Sequence, residues 1–147
     1  MHHGVPPGYA LSQEVPTLED YQRLREAAGL STFARAAASN GLPGTFAGIV
    51  VRFEEQAIGM GRAVGDGGLF FQLVDIALEP AHQGKGIGKA IVEALLQALA
   101  ERLTAPAYVS LVADGPADRL YAQFGFVPVA PRSQGMAQWL QPASSSG

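Results

Sequence analysis

Two spacings of apolar residues alternate along the chain, and each spacing predicts a different element of structure. Short apolar runs bounded by turn-forming residues predict strands at 8–15, 46–53, 57–64, 69–78 and 107–113. Apolar residues three and four positions apart predict helices at 18–28, 32–39, 88–102 and 117–124. Thr17 stands three residues before Asp20, and this spacing of a hydroxyl and an acid predicts the start of the first helix.

The order of these elements predicts how the strands pair. Short turns join the three runs between residues 46 and 78, so we expect an antiparallel meander there. From residue 69 to residue 112 the chain passes from strand through helix to strand, which is a crossover unit. We therefore predict an α/β fold, in which a twisted mixed β-sheet is flanked by helices.

Length and composition predict one compact unit. The chain has 147 residues, of which 48% are hydrophobic and 16% charged, so it can build a core and is not disordered. We predict a single domain over residues 1–147, with an ordered core at about 9–140. The segments 1–7 and 142–147 are expected to be flexible tails.

Charge and residue usage exclude several classes of protein. The chain has no cysteine, so it can form neither a disulfide framework nor an acyl-cysteine intermediate. A net charge of −3 argues against nucleic acid as a partner. No apolar run approaches the ~20 residues of a membrane span, and no secretory leader is visible, so we expect a cytoplasmic protein without a membrane partner. His2, His3 and His82 are the three histidines, and we expect no metal site.

A glycine-rich turn between the fourth predicted strand and the third helix predicts a phosphate site. Three glycines alternate in residues 83–89 and remove the Cβ atoms that would hold a ligand away from the backbone. The helix that follows presents unpaired N–H groups and the positive end of its dipole to an anion. Lys85 and Lys89 add positive charge at the same place.

Two better-known phosphate loops share this context but not this spacing. A P-loop would need glycine at the position of Gln83 and a hydroxyl residue at that of Ala90. In a dinucleotide loop the third glycine would fall on Lys89 or Ile91. The pattern Gln-x-x-Gly-x-Gly instead resembles the acyl-CoA pyrophosphate loop of the GNAT superfamily of N-acetyltransferases, and residues 74–80 resemble that family's central strand.

A second motif follows downstream at the position that the family requires. In residues 117–126, Leu120, Tyr121 and Phe124 recur at helical spacing and Gly125 ends the helix. This segment resembles the second GNAT signature, a short helix that carries a tyrosine before Gly-Phe. The resemblance covers nearly the whole chain and implies the GNAT acyl-CoA N-acyltransferase fold.

The resemblance also implies acetyl-CoA as cosubstrate. Backbone N–H groups of the loop would bind the pyrophosphate, and the strand edge before it would pair with the pantetheine arm. A strand-edge N–H near Ile76 would polarise the thioester carbonyl. The implied contacts are Ile76, Ala77, Leu78, Gln83, Gly84, Lys85, Gly86, Ile87, Gly88, Lys89 and Phe124.

Two residues are candidates for proton transfer. Tyr121 occupies the family position whose hydroxyl protonates the departing thiolate, although its helical spacing also suits a core aromatic. The family's histone-lysine enzymes carry a glutamate where this chain has Gln72, which cannot take a proton. Asp75 is therefore the candidate base, because a charge inside an apolar run is costly unless paired or functional. Aspartate there resembles glucosamine-phosphate acetyltransferases, but it could instead only accept hydrogen bonds from a neighbouring loop.

The expected function is N-acetyltransfer from acetyl-CoA to a primary amine of a small molecule, by direct attack in a ternary complex. Two alternatives stay open at this stage. One is a non-catalytic acyl-CoA-binding or sensor module, and the other is an acetyltransferase for protein lysines or N-termini. The resemblance also allows a homodimer, with residues 136–140 as one possible interface.

Overall fold

The structure is a computed structural model that describes residues 4–143. Residues 1–3 and 144–147, which belong to the predicted tails, lie outside the described part. In chain order the elements are β1 (Tyr9–Gln13), α1 (Leu18–Ala27), α2 (Arg35–Gly41), β2 (Ala47–Phe53), β3 (Gln56–Gly65), β4 (Phe70–Leu78), α3 (Ile87–Ala100), β5 (Tyr108–Ser110) and α4 (Asp118–Ala122). Short 3-10 helices lie at Leu42–Gly44, Pro80–His82 and Gly115–Ala117.

The strands form one sheet in the order β1-β2-β3-β4-β5. The first four are antiparallel neighbours, and β5 pairs parallel to β4 after the crossover through α3. The predicted meander and crossover are thus confirmed, as is the mixed sheet flanked by helices.

One face of the sheet is closed by α3. Ile87, Ile91, Leu95 and Leu99 of this helix are buried against apolar residues of β2, β3 and β4. Gly61 of β3 faces the helix, because a Cβ built there would lie 2.6 Å from Ile91 Cγ2 and 2.9 Å from Leu95 Cδ1. Glycine at this position therefore permits the close approach of helix and sheet.

The opposite face is covered by α1 and α2. The side-chain oxygen of Thr17 caps α1 by accepting a hydrogen bond from the Asp20 N–H at 3.1 Å, as the sequence predicts. Tyr21 and Leu24 pack with Met60 in a second apolar cluster. Arg62 also points to this face, since neighbouring residues of a strand alternate between faces and Gly61 faces α3.

Several predicted elements differ in their bounds. The second helix begins at Arg35 rather than near residue 32, and it runs through Gly41 because buried Leu42 continues the segment as a 3-10 turn. Pro43 fits this turn, since the first residues of a helix need no N–H partner. β5 has three residues instead of seven, and α4 has five. No helix or strand is assigned in the described residues 126–143.

Candidate active site

The sheet opens between β4 and β5. The parallel pairing comprises Phe70 with Tyr108, Phe71 with Val109 and Gln72 with Ser110, and it ends there. β4 continues for six more residues to Leu78, and no described strand pairs with it on that side. The strand therefore presents an edge of backbone donors and acceptors that an extended ligand can pair with.

The glycine-rich turn lies at the carboxyl end of this edge. Gly84 and Gly86 have positive φ angles of 78° and 79°, and a Cβ added to either would meet nothing within 4 Å. Gly86 caps α3 without a side-chain hydrogen bond, and the helix's first bond runs from the Ala90 N–H to the Gly86 carbonyl at 3.1 Å. The N–H groups of Ile87, Gly88 and Lys89 therefore have no partner within the helix, which suits an anion.

The turn is tied to the first strand of the sheet. The Tyr9 hydroxyl lies 2.6 Å from His82 Nδ1, and the Lys85 ammonium lies 3.5 Å from the same hydroxyl. Gln83 Nε2 donates to the Leu78 carbonyl at 3.4 Å, which links the loop to the end of β4. Sequence reasoning did not identify Tyr9 as a support for this loop.

The other predicted contacts with the cosubstrate take different positions. Ile76 is part-buried and lines the cavity beside β4. Ala77 is buried in the second apolar cluster, with Tyr21 and Leu24 of α1. Leu78 and Phe124 are part-buried and pack against the α3 cluster, and the Ile87 side chain lies inside it. The contribution of these residues to cosubstrate binding stays a prediction. Because the side chains of Ala77 and Ile87 are buried, only the backbone groups of these two residues could contact the cosubstrate.

A cavity of about 660 Å³ lies between the α1–α2 face and the end of the β4–β5 pairing. Most of its lining is apolar and comes from α1, α2, β4 and the segment before α4. The polar and charged residues that line it are Tyr21, Arg25, Arg62, Gln72, Asp75, Asp114 and Tyr121. The two predicted proton-transfer residues, Asp75 and Tyr121, thus lie on one cavity.

Asp75 lies at a bulge in β4. Met60 pairs with Ala77 and Arg62 with Val74, so Gly61 alone stands opposite the two residues between them. Asp75 has a φ angle of +57°, in the left-handed region that aspartate tolerates better than most residues. The bulge therefore interrupts the strand at the residue predicted to be the base.

The Asp75 carboxylate is engaged by three side chains. Oδ1 accepts from the Tyr21 hydroxyl at 3.0 Å and from Arg25 Nη1 at 2.5 Å, and Oδ2 lies 3.3 Å from Arg62 Nε. Burial, followed by the nearby Asp75 charge, raises the pKa of Tyr21 to about 12, so this tyrosine stays a neutral donor. These three partners come from α1 and β3 rather than from a neighbouring loop.

Tyr121 lies in α4 across the cavity. Burial, followed by the charge of Asp114, raises the pKa of its hydroxyl above the ordinary value. The hydroxyl is therefore protonated at neutral pH, as a proton donor must be. The Tyr121 ring also packs against Phe126 at 6.1 Å between centroids, so the residue is part of the apolar packing and also lines the cavity.

Sequence reasoning missed Arg25 and Arg62. Arg62 interrupts an apolar run in the same way as Asp75, so the argument that selected the aspartate applies to the arginine as well. Arg25 follows Tyr21 by four residues and so shares its helix face, which places a charge on the buried side of α1. When two neighbouring strands each carry one charge in an apolar run, and the charges are opposite, the sequence indicates an ion pair between the two side chains.

Within residues 4–143, no group of three or more His, Cys, Asp or Glu side chains could hold a metal ion. None of the helices in this part of the chain is long and apolar enough to cross a membrane.

Comparison with known proteins identifies a family that this chain matches. The model of the acetyltransferase (GNAT) domain matches residues 45–128. The GCN5-related N-acetyltransferase 2, chloroplastic, of Arabidopsis thaliana is 38% identical over 73 residues, which are 50% of this chain and 28% of that protein. The chain matches less than a third of the length of its curated plant relatives.

Solved structures agree with this match. A Staphylococcus aureus protein of unknown function, described as a probable acetyltransferase, has a TM-score of 0.85 and 42% identity, over 90% of this chain and 99% of that one. Glucosamine-6-phosphate N-acetyltransferase from Arabidopsis thaliana has a TM-score of 0.66 over 90% of this chain and 99% of that one. At 14% identity, it shares the fold alone.

Proposed function

Because this chain belongs to the GNAT family of acetyltransferases, we propose that it transfers the acetyl group of acetyl-CoA to a small primary amine by direct attack. The observation that carries the proposal is the opening between β4 and β5, with the glycine turn at its end and the cavity beside it. A volume of about 660 Å³ suits a small molecule.

The residues divide the binding of the donor into two parts. The N–H groups at the start of α3, with Lys85 and Lys89 nearby, would hold the pyrophosphate. The free edge of β4 would pair with the pantetheine arm, and an N–H near Ile76 would stabilise the charge that develops on the thioester oxygen. Bound in this way, the donor would carry its thioester towards the cavity that Asp75 and Tyr121 line.

The chemical step forms a carbon–nitrogen bond and breaks the carbon–sulfur bond. The amine nitrogen attacks the thioester carbonyl and gives up a proton to the base, for which Asp75 is the candidate. Tyr121 donates its proton to the departing thiolate and recovers one from solvent. A carboxylate has about four acceptor positions, so the three contacts of Asp75 leave room for one more.

The test of the proposal is release of CoA thiol from acetyl-CoA in the presence of primary amines. We expect amine-dependent release, and a drop of about 10²–10⁴-fold in kcat for Tyr121→Phe. Tyr108→Phe is the matched control, because Tyr108 is exposed and does not line the cavity. Undiminished turnover in Tyr121→Phe would contradict its role, and acetyl-CoA binding without turnover of any amine would favour a sensor module.

The role of Asp75 needs a test that separates base chemistry from structure. In Asp75→Asn, turnover of an alkyl amine should fall much further than turnover of an aromatic amine, which is already unprotonated at neutral pH. Tyr21→Phe removes one donor to Asp75 and keeps the carboxylate, so it controls for the hydrogen-bond network. Equal losses with both amines would assign Asp75 a positioning role instead.

A further inference from the structure

The buried part of the cavity holds more positive than negative charge. The side chains of Arg25, Arg62 and Asp75 are only 11%, 9% and 6% exposed, and both guanidinium groups lie beside the single carboxylate. Asp114, the other acidic residue of the lining, is exposed. One carboxylate cannot neutralise two guanidinium groups, so one buried positive charge is left without a counter-charge.

The two arginines differ in how their donors are used. Arg25 donates through Nε to the Ser31 carbonyl at 2.6 Å, through Nη1 to Asp75, and through Nη2 to Ser31 Oγ at 3.3 Å. In Arg62, Nε and Nη1 are buried and have no hydrogen-bond partner in the described part of the chain. Its Nε lies near Asp75 but makes only an ion pair. A buried cation with unused donors is costly unless a ligand completes it.

We propose that the amine acceptor carries a carboxylate and that Arg62 binds this group in the cavity. The proposal rests on the proposed function, since it names the acceptor class for the same site. A carboxylate carries a single negative charge, which would supply the missing counter-charge for the second guanidinium group. A phosphate monoester would carry about −1.5 to −2 and would leave excess negative charge beside Asp75.

The acidic residues of the lining suit the amine of such an acceptor. Asp75 lies beside Arg62, and Asp114, after burial, helps to raise the pKa of the Tyr121 hydroxyl, so negative charge lies near the arginine and near the proposed proton donor. The ammonium form of the acceptor is attracted to these carboxylates, and its own carboxylate is attracted to Arg62. One carbon separates the two groups of an α-amino acid, so both can bind near the Arg62–Asp75 pair. Leu30, Phe33 and Val112 contribute apolar lining. The acceptor class is therefore an amino acid with an apolar side chain.

The first measurement compares leucine with leucinamide as acceptors in the thiol-release assay. We expect kcat/KM to favour leucine by about 10–100-fold, the contribution of a hydrogen bond between charged groups. Leucinamide has the less basic amine, so amine reactivity alone would favour the amide. In Arg62→Met the ratio should fall to unity or below, whereas Arg52→Met, which changes an arginine outside the cavity lining, should keep the preference for leucine.

The second measurement is independent of catalysis. Isocaproate has the carbon skeleton of leucine without the amine, and calorimetry should detect its binding to the wild type and an affinity at least about tenfold weaker in Arg62→Met. The melting temperature of Arg62→Met should be unchanged or raised, because the variant removes the uncompensated cation and leaves Asp75 paired with Arg25.

The outcomes separate this proposal from the proposed function. Turnover of amines without preference for leucine over leucinamide, or a preference that survives in Arg62→Met, overturns the carboxylate assignment and leaves the transferase in place. Isocaproate binding that depends on Arg62, without turnover of any amine, supports the anion site and contradicts the transferase. Faster turnover of the phosphonic analogue of leucine than of leucine would replace the carboxylate with a dianionic group.

Discussion

The two faces of the sheet are built differently. On the α3 face, apolar side chains form one continuous cluster around Ile91 and Leu95, and glycine lets helix and strand approach closely. On the α1–α2 face, charged side chains interrupt the apolar cluster, and a cavity of about 660 Å³ opens beside them. A cavity found beside α3 has a volume of only about 140 Å³. The comparison indicates that the α3 face is an uninterrupted apolar core, whereas the α1–α2 face combines an apolar cluster with buried charge beside the candidate site.

The helices on the two faces, α1 and α3, also differ at their N-termini. A threonine side chain caps α1, which satisfies a backbone donor within the protein. Glycine precedes α3 and no side chain caps it, so its donors are left for a ligand. Helix α1 is capped at its start, whereas the start of α3 has no side-chain cap and is where we propose that the pyrophosphate binds.

The largest expected change in stability follows Asp75→Asn. The substitution leaves two buried guanidinium groups without a counter-charge, which should lower the free energy of unfolding by about 3–5 kcal/mol. Denaturant unfolding measures the change. Adding Arg62→Met should recover part of it, and a double variant no more stable than Asp75→Asn alone would contradict the charge argument.

Leu95→Ala tests the opposite face. Leu95 is fully buried, so the truncation should lower the free energy of unfolding by about 2–5 kcal/mol. Below its melting temperature the variant should keep the wild-type kcat, because Leu95 does not line the site cavity. A large fall in kcat for the folded variant would show that the two faces are not separable.

Thr17→Ala tests the difference between the helix starts. Loss of the cap should lower the free energy of unfolding by about 1 kcal/mol. Thr17→Ser retains the hydroxyl and should restore most of that loss. Thermal unfolding of the three proteins in parallel would reveal whether the cap matters.

The smallest expected effect concerns a partly exposed ion pair between Arg52 and Glu14, in contrast to the buried charges. Hydrogen bonds from Arg52 and then Ser12 lower the pKa of Glu14 from 4.5 to about 2. A lowered pKa stabilises the folded state above the unfolded pKa, so this stability should disappear as the pH falls from about 4.5 to about 2. Because the Glu14 side chain is 38% exposed, we expect about 0.5 kcal/mol. Arg52→Gln should flatten this part of the profile in acid unfolding.

The sequence predicted the sheet more fully than the site. Periodicity located the strands and helices because each buries one face, and the glycine turn was visible because its residues are adjacent in the chain. The pairing of Asp75 with Arg25 and Arg62 joins three separate elements, so no local pattern contains it. The length of β5 could not be predicted from the sequence either. Its apolar run continues to residue 113, but its pairing with β4 already ends at Ser110.

The bulge in β4 limits which residues can replace Asp75. At a φ angle of +57° most side chains collide with their own backbone, and glycine, asparagine and aspartate are the residues that adopt this conformation most readily. Of these three, only aspartate carries a charge. The conformation of the main chain thus favours aspartate over glutamate inside β4, whereas Glu54 and Glu55 adopt positive φ angles in the exposed turn between β2 and β3.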